Sequence, residues 1–329
     1  MSWPVFWQRN TTLSYVLSPL SSLYLWLSRR HQQRLLRRRE ALPVPVIVVG
    51  NLVVGGTGKT PFIQWLAEQL KTQGERPAIV SRGYGGRLTE PTVLTPDHRA
   101  EDVGDEPLLL AQATGVPVCI GQDRVAAVQW LLHHHADVTV VLSDDGLQHL
   151  RLPRELEICL FDGAAGVGNA RVLPAGPLRE PLSRVQQIPL IISKGKPLAG
   201  LPANAAVPRV MHLGLGQPKH VVTGVELVQT KDSVIALCGI GQPNSFFNAL
   251  RAQGWRFTEM PLRDHQPLSA QQMRALTGQT VLMTSKDAVK LKNQTLPFDA
   301  YEVPLQVSFS ATDERTILKT ITEHLPRPQ

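Results

Sequence analysis

Apolar residues in this chain fall into short runs, separated by stretches that keep one apolar face. Residues 46–49, 77–81, 116–120, 138–142, 156–161 and 190–192 are runs of the kind required by a strand buried on both sides. Between the first two, Ile63, Leu66, Ala67 and Leu70 recur at helical spacing, and Gly74 stands where a helix would stop. Residues 123–134 read as another helix. Strands alternating with helices predict parallel strands, right-handed crossovers and an α/β fold built on a doubly wound sheet. A stretch rich in Pro, Gly and Ala, 197–208, marks a boundary. Beyond it, 234–237 and 281–283 read as strands and 245–253 as a helix, which predicts a second, smaller α/β unit.

The pattern breaks at the amino terminus. Residues 11–27 are seventeen uncharged positions dominated by Leu, Tyr and Val, and Trp3, Phe6, Trp7 and Trp26 add rings that favour a bilayer interface. Seventeen is short for a span, and Pro19 weakens it. The charge follows the apolar run, whereas a signal peptide carries it in front. The net charge of +7 then changes meaning, because residues 1–42 hold seven arginines against Glu40 and so account for +6 of it. Basicity beside an apolar, tryptophan-rich tract points to anionic lipid and away from nucleic acid. We expect a membrane-associated helix or hairpin in this segment; a helix packed on the protein's own core is the plainer reading. The 43% hydrophobic and 19% charged residues exclude general disorder. Cys119, Cys159 and Cys238 have neither metal nor disulfide spacing and suit a reducing cytoplasm as small core residues.

Candidate chemistry centres on Gly50-Asn51-Leu52-Val53-Val54-Gly55-Gly56-Thr57-Gly58-Lys59-Thr60-Pro61. A strand, a glycine-rich turn and a helix start would aim the backbone N–H groups of Gly55, Gly56, Thr57 and Gly58 at one anion. Lys59 would reach outer phosphates of a nucleotide, and the Thr60 hydroxyl would ligate Mg²⁺. Val53 stands where the Walker pattern has its first glycine. The predicted organisation is an N-terminal segment 1–42, a phosphate-loop nucleotide-binding unit 43–214 and a smaller α/β unit 215–329. Asp144 and Asp145 follow an apolar strand, the place for carboxylates that hold a metal; a capped strand-end turn is the alternative. Arg82 and Tyr84 lie in a glycine-rich loop suited to an anionic or sugar ligand. Asp105 and Glu106 precede Pro107, and spacing alone favours helix capping. Arg124, Arg171, Arg179 and Arg184 are possible phosphate clamps or surface residues. Asp264-His265 lies in the second unit, at a cleft or filling a loop, and His133, His134 and His135 read as a solvated helix end. Gly239-Ile240-Gly241 lacks the third glycine of a dinucleotide site.

Taken together, these segments resemble the tetraacyldisaccharide 4′-kinase family over nearly the whole chain. Besides the loop at 50–61, the matching runs are Ser81-Arg82-Gly83-Tyr84-Gly85, Gly104-Asp105-Glu106-Pro107 and Ser143-Asp144-Asp145-Gly146-Leu147-Gln148-His149. They continue through Leu173-Pro174-Ala175-Gly176-Pro177-Leu178-Arg179-Glu180-Pro181, Gly239-Ile240-Gly241-Gln242-Pro243 and Lys286-Asp287-Ala288-Val289-Lys290. Val53 fits that family's loop, and Ser285 departs from its pattern. The resemblance implies ATP- and Mg²⁺-dependent phosphorylation of the 4′-hydroxyl of a tetraacyl glucosamine disaccharide 1-phosphate, at the cytoplasmic face of the inner membrane. It implies that Asp105 is the catalytic base, paired with His265 across a cleft that the smaller unit closes, and that Lys59 serves catalysis. It further implies that Asp144, Asp145 and Glu180 organise Mg²⁺ and nucleotide, with Thr60, Asp145 and Glu180 as metal ligands. Ser81, Arg82, Tyr84, Glu106, Arg124 and Arg179 would line the acceptor and phosphate sites. The competing class is a membrane-associated P-loop ATPase switch, disfavoured because Val54 stands where such switches carry a signature lysine.

Overall fold

The structure, a computed structural model, describes residues 3–229, 233–263, 266, 268–291 and 294–325. In chain order the strands are β1 (Val46–Gly50), β2 (Pro77–Ser81), β3 (Thr92–Val93), β4 (Val118–Ile120), β5 (Val140–Asp144), β6 (Leu156–Asp162) and β7 (Leu190–Lys194). They continue with β8 (Arg209–Leu215), β9 (Lys219–His220), β10 (Val234–Cys238), β11 (Phe257–Pro261), β12 (Thr280–Thr284), β13 (Asp299–Val303) and β14 (Leu305–Ser308). Among the described residues they form a nine-stranded sheet, β14-β8-β7-β6-β1-β5-β2-β4-β3, and a five-stranded sheet, β11-β10-β12-β13-β9. From β8 to β4 every neighbouring pair is parallel. Antiparallel β14 and β3 close the two edges. The chain is thus a mixed α/β protein with parallel sheets.

Alternation along β1 explains the layering. Val46 and Val48 face a core with Val125, Val128 and Leu131 of helix Arg124–His134. Ile47 and Val49 face the opposite core, with Phe62, Ile63, Leu66 and Leu70 of helix Lys59–Thr72. Successive side chains of a strand point to opposite faces, so a strand covered by helices on both sides must be apolar throughout. All five residues of β1 are buried.

Two departures from the sequence-based division are informative. The sequence assigns everything from 215 to the end to the second unit, but β14 pairs with β8, and helix Ala311–His324 packs Ile317 and Ile321 onto the Phe62 side of the first sheet. The last segment therefore returns to the first sheet, because its apolar stripe completes that core. The strand ends also move: β4 begins only after Pro117, and β5 runs on through Ser143 and Asp144.

The N-terminal segment forms helices Val5–Gln8, Thr12–Val16 and Ser18–Leu36. Pro19 lies in the first turn of the long helix, where its missing N–H is harmless. Among the described residues no helix is long and apolar enough to cross a membrane. The segment is inverted relative to an ordinary surface helix. Ser14 and Ser21 are buried against the protein, while Leu13, Val16, Leu20, Leu23, Trp26 and Leu27 are exposed. Trp3, Tyr24 and Leu25 pack on the first core, so one side of the segment is held against the protein.

Candidate active site

β1, β5 and β2 are adjacent and parallel, with Val49 beside Asp144 and Val80 beside Ser143. Their carboxyl ends therefore open onto one edge, where ligands of such sheets bind. The loop after β1 is tightly specified. Residues 52–54 pair with 177–179: Arg179 N–H donates to Leu52 O at 2.7 Å, Val54 N–H to Pro177 O at 3.0 Å, and Val53 bridges Leu178. The buried Asn51 donates its Nδ2 to Gly55 O at 3.2 Å. Gly58 precedes the helix with φ +85°, and a Cβ there would come within 2.9 Å of Met211 Cε. The left-handed backbone is what favours glycine, since the Met211 methyl could move aside. Helix Lys59–Thr72 then presents Lys59 and Thr60 in its first turn, with no acidic residue among them.

Lys59 Nζ lies 3.4 Å from Asp145 Oδ1. Arg179 Nη1 reaches both oxygens of Asp145 at 3.2 Å. Burial works to raise the Asp145 carboxyl, but Lys59 and Arg179 outweigh it and hold it below its ordinary range. Asp145 adopts φ +49°, an uncommon backbone for a residue with a side chain, and thereby turns out of β5 toward the lysine. Asp144 differs sharply. It is 3% exposed; Oδ2 accepts from Ser81 Oγ at 3.1 Å, and Oδ1 is buried with no protein partner. Burial pushes its pKa up to about 6; Lys59 opposes this, while Glu106 and Asp145 add to it. The buried Arg124 donates to Gly121 O at 2.8 Å and to Asp144 O at 3.5 Å. Glu180 joins through Gln148, whose Nε2 donates to Glu180 Oε1 at 2.9 Å and whose Oε1 accepts from Arg179 at 3.2 Å.

Helix Asp105–Thr114 opens with the acidic pair. Gly104 precedes it at φ +91°, and a Cβ there would lie 2.5 Å from Tyr84 O. The loop carrying Arg82 and Tyr84 is thus pressed against the start of this helix, with both residues exposed. The acidic side chains meet cations. Lys286 Nζ sits 2.5 Å from Glu106 Oε1, and Lys290 Nζ sits 3.5 Å from both Asp105 Oδ2 and Asp287 Oδ1. Both lysines follow β12, so the second sheet delivers cations to the acidic turn of the first. His265 and its neighbour Asp264 lie outside the described residues.

This arrangement places a lysine at a glycine-rich helix start, a carboxylate held below its ordinary range beside it and a second, buried carboxylate with one unpartnered oxygen behind. An arrangement of this kind can accept a polyanion together with a cation. The family model described as LpxK, tetraacyldisaccharide-1-P 4′-kinase, matches residues 13–324. The chain is 45% identical over 296 residues to the tetraacyldisaccharide 4′-kinase of Alkalilimnicola ehrlichii, covering 87% of each. The chain belongs to the tetraacyldisaccharide 4′-kinase family. It is also 41% identical to the Herminiimonas arsenicoxydans kinase, covering 97% of this chain and 94% of that one. The crystal structure of LpxK from Aquifex aeolicus in complex with ATP is similar at TM-score 0.78 and 28% identity, covering 96% of this chain and 100% of that one.

As a tetraacyldisaccharide 4′-kinase the protein is a phosphotransferase of lipid A biosynthesis, and the switch reading is not favoured. Of the residues singled out from sequence, Lys59, Asp144, Asp145, Ser81, Arg124, Arg179 and Glu180 are linked by the contacts above. Arg171 is not among them: it donates to Asn10 and Ser18 of the N-terminal segment. Arg184 pairs with Glu157 and Glu180. Sequence reasoning missed Lys194, whose Nζ donates to Gly56 O at 3.3 Å and pairs with Asp162 at 2.7 Å. Its signal was a lysine ending an apolar strand. It also gave no role to Lys286, which lies in the short helix Ser285–Ala288, or to Lys290, just beyond that helix.

Proposed function

We propose that the chain transfers the γ-phosphoryl group of ATP to the 4′-hydroxyl of a tetraacyl glucosamine disaccharide 1-phosphate. The observation that carries this reading is the Lys59–Asp145–Arg179 cluster at the start of helix Lys59–Thr72, with Asp144 behind it. The backbone of Gly55, Gly56, Thr57 and Gly58 would cradle phosphates, and Lys59 would neutralise them on exchanging Asp145 for nucleotide. Mg²⁺ fits this donor set. Asp144 Oδ1 is a buried acceptor without a partner, and Thr60 is buried in the same helix turn as Lys59. Among the described residues no cluster of three metal-ligating side chains could hold an ion alone, which suits a cation that takes one or two carboxylates plus phosphate and water. Thr60, Asp145 and Glu180 would hold it, with Asp144 alongside. Bound Mg²⁺ would offset negative charge on the phosphates.

Asp105, oriented by His265, would accept the proton of the 4′-hydroxyl as its oxygen attacks phosphorus and ADP leaves with the electron pair. Lys290 ties Asp105 to the second sheet, so movement of that sheet would assemble the base with the donor. Ser81, Arg82, Tyr84, Glu106, Arg124 and Arg179 would bound the acceptor and phosphate pockets. The outward face of the N-terminal segment carries Val16, Leu20, Leu23 and Leu27. With Arg29, Arg30, Arg34, Arg37, Arg38 and Arg39 behind it, that face supports seating on the phospholipid of the inner membrane's cytoplasmic face. This reading involves no nucleic acid.

The test is purified protein with radiolabelled ATP, Mg²⁺ and the acylated disaccharide in detergent micelles. Label should appear on the disaccharide. ATP hydrolysis without acceptor labelling would instead fit the membrane-associated ATPase and overturn this reading.

A further inference from the structure

The N-terminal segment is bonded directionally to the loop that follows β1. Trp3 Nε1 donates to Val54 O at 2.9 Å. Val54 immediately precedes Gly55, which turns at φ +122° and whose Cβ, if present, would lie 3.6 Å from that same indole nitrogen. Tyr24 OH donates to Arg179 O at 3.0 Å. Residues 52–54 and 177–179 are the two sides of one short ladder, so Trp3 and Tyr24 each grip one of them. Arg179 then carries its guanidinium to Asp145, and Asp145 reaches Lys59. The same segment holds the stretch leading to 177: Trp7 Nε1 donates to Pro174 O at 2.9 Å, and Ser21 Oγ donates to Val172 O at 2.8 Å.

A segment that served the bilayer alone would need apolar surface but no bonds to this loop. Here the outward face is apolar and the inward face is a row of side-chain donors matched to backbone carbonyls. A carbonyl whose partner is removed in a partly buried place relaxes toward another donor or water, and the loop must move with it. We propose that Trp3 and Tyr24 are positioning residues that set the geometry of the phosphate loop and of Arg179, so that nucleotide affinity depends on the N-terminal segment independently of membrane attachment. The proposal rests on the reading that residues 55–60 hold nucleotide phosphates.

Trp3→Phe and Tyr24→Phe keep an aromatic ring and delete the donor. ADP binding to the full-length protein in detergent is measured by calorimetry, KM for ATP and kcat are measured with the acylated disaccharide, and sedimentation is measured with phosphatidylglycerol vesicles. Each variant should weaken ADP binding and raise KM for ATP about 3–10-fold, the effect of one hydrogen bond, with kcat changed less and vesicle binding unchanged. Leu23→Ser/Leu27→Ser, on the outward face, should do the reverse: weaker vesicle binding and wild-type ADP affinity. Wild-type ADP affinity in both phenylalanine variants would overturn the proposal, as would an equal loss of ADP affinity in the outward-face variant. Lys59→Ala serves as the reference: if it binds ADP like the wild type, the phosphate-loop reading fails rather than this one.

Discussion

Two strand–loop–helix units in this protein share a plan and differ in what stands opposite the loop. In the first, β1 leads through Gly55-Gly56-Thr57-Gly58 into helix Lys59–Thr72; in the second, β10 leads through Gly239-Ile240-Gly241-Gln242 into helix Pro243–Ala252. Both strands have parallel neighbours on each side. In the second unit a carboxylate of the protein already takes the anion's place: Asp287 Oδ2 accepts from Gly239 N–H at 2.9 Å and from Thr284 Oγ1 at 2.7 Å. Gly239 has no room for a side chain, since its Cβ would lie 2.7 Å from Asp287 Oδ1. In the first unit the helix start carries a lysine whose carboxylate partner comes from the end of β5 and is more than a third exposed. A strand–loop–helix unit thus supplies N–H groups and a dipole in either case. Whether it binds a ligand depends on whether the fold has filled that place permanently or with an exchangeable partner.

The largest expected effect comes from removing the cation of the first unit. Lys59→Ala should lower kcat/KM by on the order of 10³-fold, the scale of a lost transition-state charge stabiliser, in the micelle assay. A rate within about threefold of wild type would erase the contrast between the units. Asp105→Ala, which deletes the proposed base, should reduce kcat about 10²–10⁴-fold, with ADP affinity measured by calorimetry unchanged. Lys290→Met removes the cation shared by Asp105 and the buried Asp287; we expect about tenfold lower kcat, partly restored by Lys290→Arg, since an ion pair this well buried is worth a few kcal/mol at most. Asp287→Ser tests the second unit directly. It should destabilise the protein by about 1–3 kcal/mol in urea unfolding, because Gly239 N–H loses its acceptor, and it should add no second ADP site. A new site would mean that the filling carboxylate alone separates the two units.

The smallest effect is a pH dependence. Asp144 titrates at about 6, raised by burial. Such an acid holds its proton more tightly in the folded state, so its contribution to the unliganded protein's stability is present below its ordinary range near about pH 4 and is lost as pH rises through 6. A cation beside it reverses the preference and favours the carboxylate. Binding of Mg²⁺ with ADP at about pH 6 should therefore release a fraction of a proton from Asp144 beyond that released by the nucleotide's own phosphate, measured by calorimetry in buffers of different ionisation enthalpy, and Asp144→Asn should reduce the release to the phosphate's share. Release unchanged in Asp144→Asn would detach this carboxylate from the cation.

How far these features were legible in the sequence follows physical lines. Predominantly apolar runs identified β1, β2, β5, β6 and β7, because a strand covered on both faces admits few polar residues. β8 and β14 escaped notice because they lie toward the edge, where exposed positions such as His212 and Gln306 dilute the pattern. Asp105 and Glu106 read locally as caps. Glu106 meets Lys286 across 180 positions of the chain, and Asp105 meets Lys290 at a similar remove, a distance no local pattern reports.

The sequence by itself determined the parallel α/β layering, the glycine-rich helix start with Lys59 and Thr60, and the family, since each is written in adjacent residues or in the order of short motifs. Only the tertiary structure decided which carboxylate faces Lys59, why Asp144 and Asp145 differ although they are neighbours, and that the second loop is already filled by Asp287. It also decided that the apolar N-terminal segment turns Ser14, Ser21 and the indole N–H groups of Trp3 and Trp7 inward. The reason is the same in each case: burial and pairing belong to positions in space, and residues adjacent in sequence can meet different surroundings.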